Sequence, residues 1–132
     1  DPSAPGEPLT NAKQAADLAR AMILDDAREH FAVVLLSAAN KVLGWYETSI
    51  GGMGSTTVDP RVIFRAALLS GAVAMILVHN HPSGEARPSA ADEDITRVLQ
   101  SGAKILGYQI LDHVIIGHGS EGHDSFLDAG RL

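Results

Sequence analysis

The chain has 132 residues, the length of one domain, and 45% of them are apolar, enough for a buried core. Its net charge is -6, and its ten Lys and Arg residues are scattered, so we expect no strong binding to nucleic acid, which needs a basic face. No run of apolar residues is long enough for a membrane span, and no secretory leader is visible. The absence of cysteine excludes disulfides, limits a metal site to nitrogen and oxygen ligands, and fits a cytoplasmic protein.

The first part of the chain predicts a helix followed by a hairpin. Residues 1–9 are rich in Pro and Gly and predict a disordered lead ahead of one domain over residues 10–132. Thr10 is a suitable cap for a helix that runs to about Glu29. Two runs with β-branched residues follow, and the short link between them indicates a hairpin. These strands are expected over residues 31–36 and 41–50.

The next helix and strand have clear boundaries in the sequence. Asp59 is a preferred cap and Pro60 a preferred first residue, so a helix begins there. It is expected to end before Gly71, because glycine commonly follows the last helical turn. Residues 72–78 are continuously apolar, which predicts a strand buried on both faces, with His79 where it ends.

The remaining elements continue the alternation of helices and strands. Ser89 is a suitable cap for a helix expected to end near Ser101, with Gly102 beyond it. One or two strands are expected over residues 105–111 and 113–116. This order predicts an α/β fold, a three-layer sandwich with a mixed β-sheet and helices on both faces.

The pattern with the clearest chemistry is the pair His79 and His81, with Asp92 eleven residues beyond. Two histidines separated by one residue point to the same side of a strand. A carboxylate in the first turn of the next helix can fold back towards them. Two imidazoles and one carboxylate are the ligands of a catalytic zinc site whose fourth position is left to water.

Simpler interpretations of these residues stay open at this point. Solvent-facing His-x-His pairs are common, and Ser89-x-x-Asp92 resembles a capping box, which needs no metal. A capping role for Ser89 is compatible with a metal site, but for Asp92 the two roles compete. The chain has no His-Glu-x-x-His helix and no cysteine, which excludes the zincin and deaminase signatures.

A glycine pattern near the carboxyl end has a weaker claim to function. Residues 117–122 match Gly-x-Gly-x-x-Gly after a predicted strand. A dinucleotide site also needs a following helix and an acidic residue about twenty positions further on, and too few residues remain. We interpret this segment as a turn.

Several segments together resemble one protein family. The spacing His-x-His-Pro, then Ser-x-x-Asp, over residues 79–92 reproduces the JAMM motif of the MPN/JAB metallohydrolases. The longer phrase His-Asn-His-Pro-Ser-Gly-x-x-x-Pro-Ser is similar to the bacterial RadC-like JAB domain, as are residues 59–61 and 111–117. Asn80 stands where the eukaryotic isopeptidases have Ser or Thr. The resemblance covers about residues 10–132 and implies the MPN/JAB, cytidine deaminase-like fold, usually preceded by a helix-hairpin-helix region.

The resemblance implies a zinc-dependent hydrolase, with one Zn²⁺ held by His79, His81 and Asp92. It also implies a catalytic glutamate on a strand upstream of the histidines. We assign this role to Glu47, the only acidic residue between the first predicted strand and the second predicted helix. Glu47 would act as general base and then acid, and Ser89 would donate a hydrogen bond to the developing oxyanion. The expected reaction is hydrolysis of a peptide or isopeptide bond.

The expected partners follow from the family. A peptide or protein substrate, ubiquitin-like or otherwise, is implied, with no membrane partner. A non-catalytic MPN interaction scaffold and a DNA-repair-associated protein are the alternatives. Of the other histidines, His113 is expected to be buried in a structural or supporting role, and His30, His118 and His123 are expected at the surface.

Overall fold

A computed structural model describes residues 7–51, 58–117 and 122–132, except for the side chains of 49–51. In these ranges the chain forms three helices and one five-stranded sheet. The elements, in chain order, are α1 (Ala12–Met22), β1 (Glu29–Leu36), β2 (Val42–Gly51), α2 (Pro60–Ser70), β3 (Ala74–His81), α3 (Ala90–Leu106), β4 (Gln109–Gly117) and β5 (His123–Ser125).

The sheet is mixed and has the strand order β2-β1-β3-β4-β5. β1 pairs antiparallel with β2 and β3, β3 pairs parallel with β4, and β5 pairs antiparallel with β4. The parallel pair is connected through α3, the usual crossover between parallel strands. The start of β1, the end of β3 and the loop that leads into α3 therefore lie together along one edge of the sheet.

Helices cover both faces of the sheet, which confirms the predicted α/β sandwich. We call the side covered by α1 the α1 face and the opposite side the α2/α3 face. Side chains of β1 alternate between the two cores, because successive residues of a strand point to opposite faces. Those on the α1 face are Ala32, Val34 and Leu36, and those on the α2/α3 face are Phe31, Val33 and Leu35.

The predicted bounds of α2 are confirmed. The Asp59 carboxylate accepts a hydrogen bond from the backbone N–H of Arg61, and Pro60 is the first helical residue. Gly71 ends the helix at φ 74°, a conformation that costs glycine little. The predicted hairpin is also confirmed, and Asn40 occupies the left-handed region within its turn.

The predicted limits of α1 are wrong at both ends. Asn11, rather than Thr10, is the cap, and its side chain accepts from the backbone of the first turn. The helix ends at Met22 rather than near Glu29, because Ile23 adopts an extended conformation and is buried in the core. The chain is then free to enter β1.

The end of α3 is also later than predicted. Gly102 lies within the helix, where an added Cβ would come 2.8 Å from the Phe64 ring of α2. This glycine therefore permits close packing of the two helices rather than ending α3. Gly107, at φ 83°, is the actual stop, and β4 is one continuous strand from Gln109.

Two predictions fall largely outside the described residues. They are the disordered lead, where residues 1–6 are not described, and the turn over 117–122, where 118–121 are not described. Ahead of α1, the described chain already contacts the sheet, since Leu9 is buried and its N–H donates to Asn40 O at 2.9 Å. Within the described ranges, no helix has the length and apolar character needed to cross a bilayer.

Candidate metal centre

Three side chains with metal-ligand chemistry converge where β3 ends and α3 begins. His79 and His81 lie on the same face of β3, and their Nε2 atoms are 2.9 Å apart. Asp92, in the first turn of α3, places one carboxylate oxygen 3.0 Å from His79 Nε2 and the other 3.1 Å from His81 Nε2. His79 is 1% exposed and Asp92 is 7% exposed. This group could hold a metal ion.

The donor atoms fit zinc. Their separations of 2.9 to 3.1 Å are slightly shorter than the spacing of about 3.3 Å between ligands in tetrahedral zinc with bonds of about 2.05 Å. Two imidazoles and one carboxylate are also a recognised three-ligand set for catalytic zinc. Small outward movements of the side chains would therefore accommodate the ion.

Asp92 has the geometry for both roles that the sequence presented as alternatives, helix cap and candidate metal ligand. Its Oδ2 accepts a hydrogen bond from the Ser89 backbone N–H at 2.7 Å, while Ser89 Oγ accepts one from the Asp92 N–H at 3.1 Å. These reciprocal bonds form a complete capping box, which confirms Ser89 as the cap of α3. A carboxylate has enough lone pairs to accept the cap bond and still face both histidines. The two roles therefore do not compete.

The charges in the group favour an ionised carboxylate. Burial raises the pKa of Asp92, but hydrogen bonds from His79 and His81 outweigh this effect and hold that pKa well below its ordinary value. The hydrogen bond to Asp92 raises the pKa of His81 despite the opposing effect of burial. The negative charge of Glu29 contributes to the raised pKa of His81. Without a metal, these shifts favour an ion pair between His81 and Asp92.

Each histidine of the group directs Nε2 towards Asp92 and uses Nδ1 elsewhere. His81 Nδ1 lies 2.8 Å from the backbone carbonyl oxygen of Glu85. A carbonyl oxygen only accepts, so Nδ1 carries the proton and a neutral His81 has its lone pair on Nε2. His79 Nδ1 lies 2.9 Å from Nε2 of His113. His113 is completely buried, as predicted, and burial lowers its pKa well below the ordinary value.

Glu29, at the start of β1, is the acidic residue that the sheet places beside this group. Phe31 pairs with His79 in the antiparallel register, and continuing this register by two residues places Glu29 opposite His81. Glu29 and Phe31 point to the same face of β1, because residues two apart in a strand share a face. The ring of Phe31 stacks on the ring of His79, with centroids 5.6 Å apart, on the α2/α3 face. Its effect on the pKa of His81 agrees with this placement. No local pattern in the sequence singles out Glu29 for this position.

Asn80, between the two histidines, faces the opposite way and holds the chain around Glu29. Its Oδ1 accepts from the His30 backbone N–H at 2.7 Å, and its Nδ2 donates to the carbonyl oxygen of Arg28 at 2.9 Å. Nδ2 also lies 3.3 Å from the carbonyl oxygen of Asp26. Asn80 is completely buried. One side chain therefore fixes the backbone on both sides of Glu29.

Glu47, which the sequence predicted to be the catalytic glutamate, lies away from the candidate metal centre. Glu47 lies on β2, which is separated from β3 by β1. It pairs with Ala32, whose side chain packs on the α1 face, opposite to the face that carries His79. The carboxylate of Glu47 instead meets His30 Nδ1 at 2.7 Å. The structure does not bring Glu47 to the candidate metal centre.

The prediction that His30 is a surface residue is also wrong, whereas His123 is exposed as expected. His30 is 6% exposed, and its Nε2 lies 2.6 Å from the carbonyl oxygen of Asp25. His30 is separated by even numbers of residues from Ala32 and Val34, whose side chains lie in the core on the α1 face. Strand alternation could therefore have indicated that His30 points to the same buried face. His118 lies outside the described residues.

The family model for the RadC-like JAB domain matches residues 9–131 of this chain. The chain belongs to the RadC-like JAB family. Similar curated proteins carry the name UPF0758 protein. One from Desulfitobacterium hafniense is 52% identical over 90 residues, which cover 68% of this chain and 40% of the relative. One from Rubrobacter xylanophilus is 41% identical over 130 residues, which cover 97% of this chain and 56% of the relative.

A further relative, from Flavobacterium johnsoniae, is 40% identical over 122 residues, which cover 92% of this chain and 52% of the relative. This RadC-like JAB chain therefore spans about half the length of the curated relatives that it matches. The resemblance noted in the sequence is confirmed at the level of the family. The names of these relatives describe no metal, substrate or reaction.

Proposed function

We propose that this RadC-like JAB domain is a zinc-dependent hydrolase that cleaves a peptide or isopeptide bond. The observation that supports it is the placement of Glu29 alongside His81, beside the ligands but outside the His79, His81 and Asp92 group. A hydrolytic metal centre needs a proton acceptor that the metal does not consume. This arrangement provides both parts at one edge of the sheet.

In this proposal His79, His81 and Asp92 would hold the ion. A bound zinc ion would lower the pKa of a water to about 7 and polarise the carbonyl of the substrate. Glu29 would accept the proton of the attacking water and deliver it to the leaving amine, acting first as base and then as acid. Asn80 would keep the backbone around Glu29 in place for both transfers.

Ser89 would support the same reaction from the start of α3. Its oxygen accepts the Asp92 N–H, which leaves the hydroxyl proton available to another acceptor. We propose that this proton is donated to the oxyanion that develops on the substrate carbonyl. A well-placed donor of this kind contributes about 3 kcal/mol to transition-state stabilisation. The substrate is proposed to be a peptide or protein, including ubiquitin-like proteins joined through lysine.

The proposal is tested by measuring zinc content and bond cleavage together. Wild-type protein should bind roughly one zinc per chain, and it should produce new amino termini from peptide libraries and free lysine side-chain amines from isopeptide-linked libraries. Removal of zinc by a chelator should stop the cleavage, and added zinc should restore it. Protein that takes up no zinc on reconstitution would contradict the metal centre.

The substrate is best sought with a variant that binds without turning over. Glu29→Gln should retain the ligands and capture substrates from a cell extract, with His79→Ala in the Glu29→Gln background as the matched control. We expect captured proteins to depend on His79 and to be held near a C-terminus or a lysine-linked branch. Capture that is indifferent to the histidine would favour a non-catalytic scaffold, and recovery of nucleic acid alone would contradict the proposed substrate class.

A further inference from the structure

A chain of hydrogen bonds runs behind the candidate metal centre from His79 back to Asp92. His79 Nδ1 and His113 Nε2 are 2.9 Å apart, and His113 Nδ1 and Thr96 Oγ1 are 2.6 Å apart. Thr96 Oγ1 in turn lies 2.7 Å from the backbone carbonyl oxygen of Asp92, one helical turn earlier in α3. The chain thus starts at one proposed ligand and closes on another.

The backbone carbonyl oxygen of Asp92, at one end of the chain of hydrogen bonds, fixes the direction of every bond in it. The Asp92 carbonyl can only accept, so the single hydroxyl proton of Thr96 is donated to it. Thr96 Oγ1 must then accept from His113, which places the His113 proton on Nδ1. With one ring proton, His113 has its lone pair on Nε2 and accepts from Nδ1–H of His79. In its neutral form, His79 then has its lone pair on Nε2, the atom that faces Asp92 and His81.

The reverse direction would disable the ligand. If His113 carried its proton on Nε2, it would donate to His79 Nδ1, and a neutral His79 would carry its own proton on Nε2. That proton would occupy the position that a metal ion needs, since a metal binds the unprotonated nitrogen. The hydroxyl of Thr96 therefore matters to the metal centre although it cannot reach the ion itself.

The surroundings of His113 keep its ring in one orientation. Phe126 stacks on the ring with centroids 4.6 Å apart, and Phe31 meets it edge-on at 5.7 Å. The segment that carries Phe126 is tied to β4 by Asp112, which accepts hydrogen bonds from the Ser125 hydroxyl at 2.6 Å and the Leu127 N–H at 3.0 Å. His113 thus has little freedom to rotate.

We propose that Thr96 and His113 are positioning residues that fix the metal-binding tautomer of His79 and thereby set the metal affinity of the domain. This inference rests on the proposed metal site but concerns residues outside the ligand set. Partners that orient a ligating histidine typically change metal affinity by roughly 10- to 100-fold when they are removed. The hydroxyl of Thr96 carries a testable part of this effect because valine has nearly the same shape without it.

The first test reads the tautomer without metal. Imidazole ¹⁵N chemical shifts of the metal-free protein distinguish protonated from unprotonated ring nitrogens. We expect His113 to be protonated at Nδ1 and unprotonated at Nε2, and His79 to be protonated at Nδ1. A proton on His113 Nε2 in the wild-type protein would overturn the inference.

The second test measures zinc affinity by competition with a chelator in wild-type, Thr96→Val and Thr96→Ser proteins. We expect Thr96→Val to bind zinc roughly 10-fold or more weakly and Thr96→Ser, which keeps the hydroxyl, to remain close to wild type. His113→Phe, which retains a ring between Phe31 and Phe126, should lose at least as much affinity as Thr96→Val. The d–d spectrum of the cobalt form should change with Thr96→Val and recover with Thr96→Ser.

The outcomes separate this inference from the proposed function. A purely structural role would lower the urea midpoint of the metal-free variants and leave the zinc affinity of the folded protein unchanged, which would overturn the inference alone. Wild-type protein that takes up no zinc would overturn the proposed function and this inference together. A selective loss of affinity in Thr96→Val, with serine rescue, supports both.

Discussion

The two faces of the sheet carry two histidine–carboxylate groups that differ in one respect. On the α2/α3 face, His79 and His81 use Nδ1 for protein partners and direct Nε2 towards Asp92 and each other. On the α1 face, both ring nitrogens of His30 meet oxygens, one from the Glu47 carboxylate and one from a backbone carbonyl. In the first group the Nε2 atoms meet only other members of the group, so a metal ion could take the place of the protons between them, whereas the second group uses both nitrogens to hold the chain together.

Neighbouring residues in the sequence divide between these two tasks. Glu29 and His79 face the candidate metal centre, while His30 and Asn80, the next residue in each case, face the other way and bond to the backbone. The alternation of a β-strand allows this division. A short segment can therefore present a reactive group on one face and fix it from the other.

The largest expected effect is a loss of zinc when a histidine on the α2/α3 face is substituted, with no such loss when one on the α1 face is substituted. His79→Ala should remove most of the zinc, because a ligand is lost from a three-residue set. His30→Ala is the matched control, since it deletes a buried histidine of the other face without touching a proposed ligand. Elemental analysis should find zinc retained in His30→Ala even if its thermal stability falls. Equal loss of zinc in the two variants would break the distinction between the faces.

The next effect concerns the two glutamates. Glu29→Gln should reduce hydrolysis by at least about two orders of magnitude and keep zinc, because it removes the proposed base but no ligand. Glu47→Gln should leave turnover close to wild type, because Glu47 lies on the α1 face. Both rates should be measured on one substrate that the wild type cleaves. The opposite result would return the catalytic role to Glu47.

Asn80→Ala should destabilise the domain by about 1–3 kcal/mol, because the buried His30 N–H and the Arg28 carbonyl would lose their partner. Urea unfolding of the metal-free protein measures this change. The zinc content of folded Asn80→Ala should remain, whereas its turnover should fall with the disorder of Glu29. If turnover is unaffected at wild-type zinc content, Asn80 contributes stability but does not position the base.

The smallest effect is a pH dependence with opposite signs for stability and zinc binding. The raised pKa of His81 gives metal-free protein a stabilisation that is fully present below the ordinary value of 6.5 and is lost as pH rises through the raised pKa. The lowered pKa of Asp92 gives a stabilisation present above 3.8 and lost as pH falls through the lowered pKa.

The pair therefore stabilises metal-free protein most between pH 3.8 and 6.5. Zinc competes with the proton on His81, so its affinity should rise over the pH range in which this stabilisation declines. Urea midpoints and zinc affinities at matched pH values measure the two trends. Asp92→Asn should flatten the decline in stability. A difference between the wild-type and Asp92→Asn midpoints that stays constant above the ordinary histidine value would contradict the ion pair.

The sequence alone was sufficient for features that depend on a few neighbouring residues. Asp59, Pro60 and Gly71 define α2 because cap hydrogen bonds and backbone conformations are local. The grouping of His79 and His81 follows from strand alternation, and the order of helices and strands predicts the sandwich. The capping box of Ser89 and Asp92 was likewise visible from its spacing.

Tertiary structure decided the features that depend on distant partners. Glu29 lies beside His81 because β1 runs antiparallel to β3, a pairing between segments about fifty residues apart that no local pattern specifies. Gly102 lies inside α3 rather than at its end, and its missing Cβ leaves room for the ring of Phe64. Local hydrogen bonds set where helices begin and end, but burial of the whole sheet sets the strand register, and the register determines which carboxylate reaches the candidate metal centre.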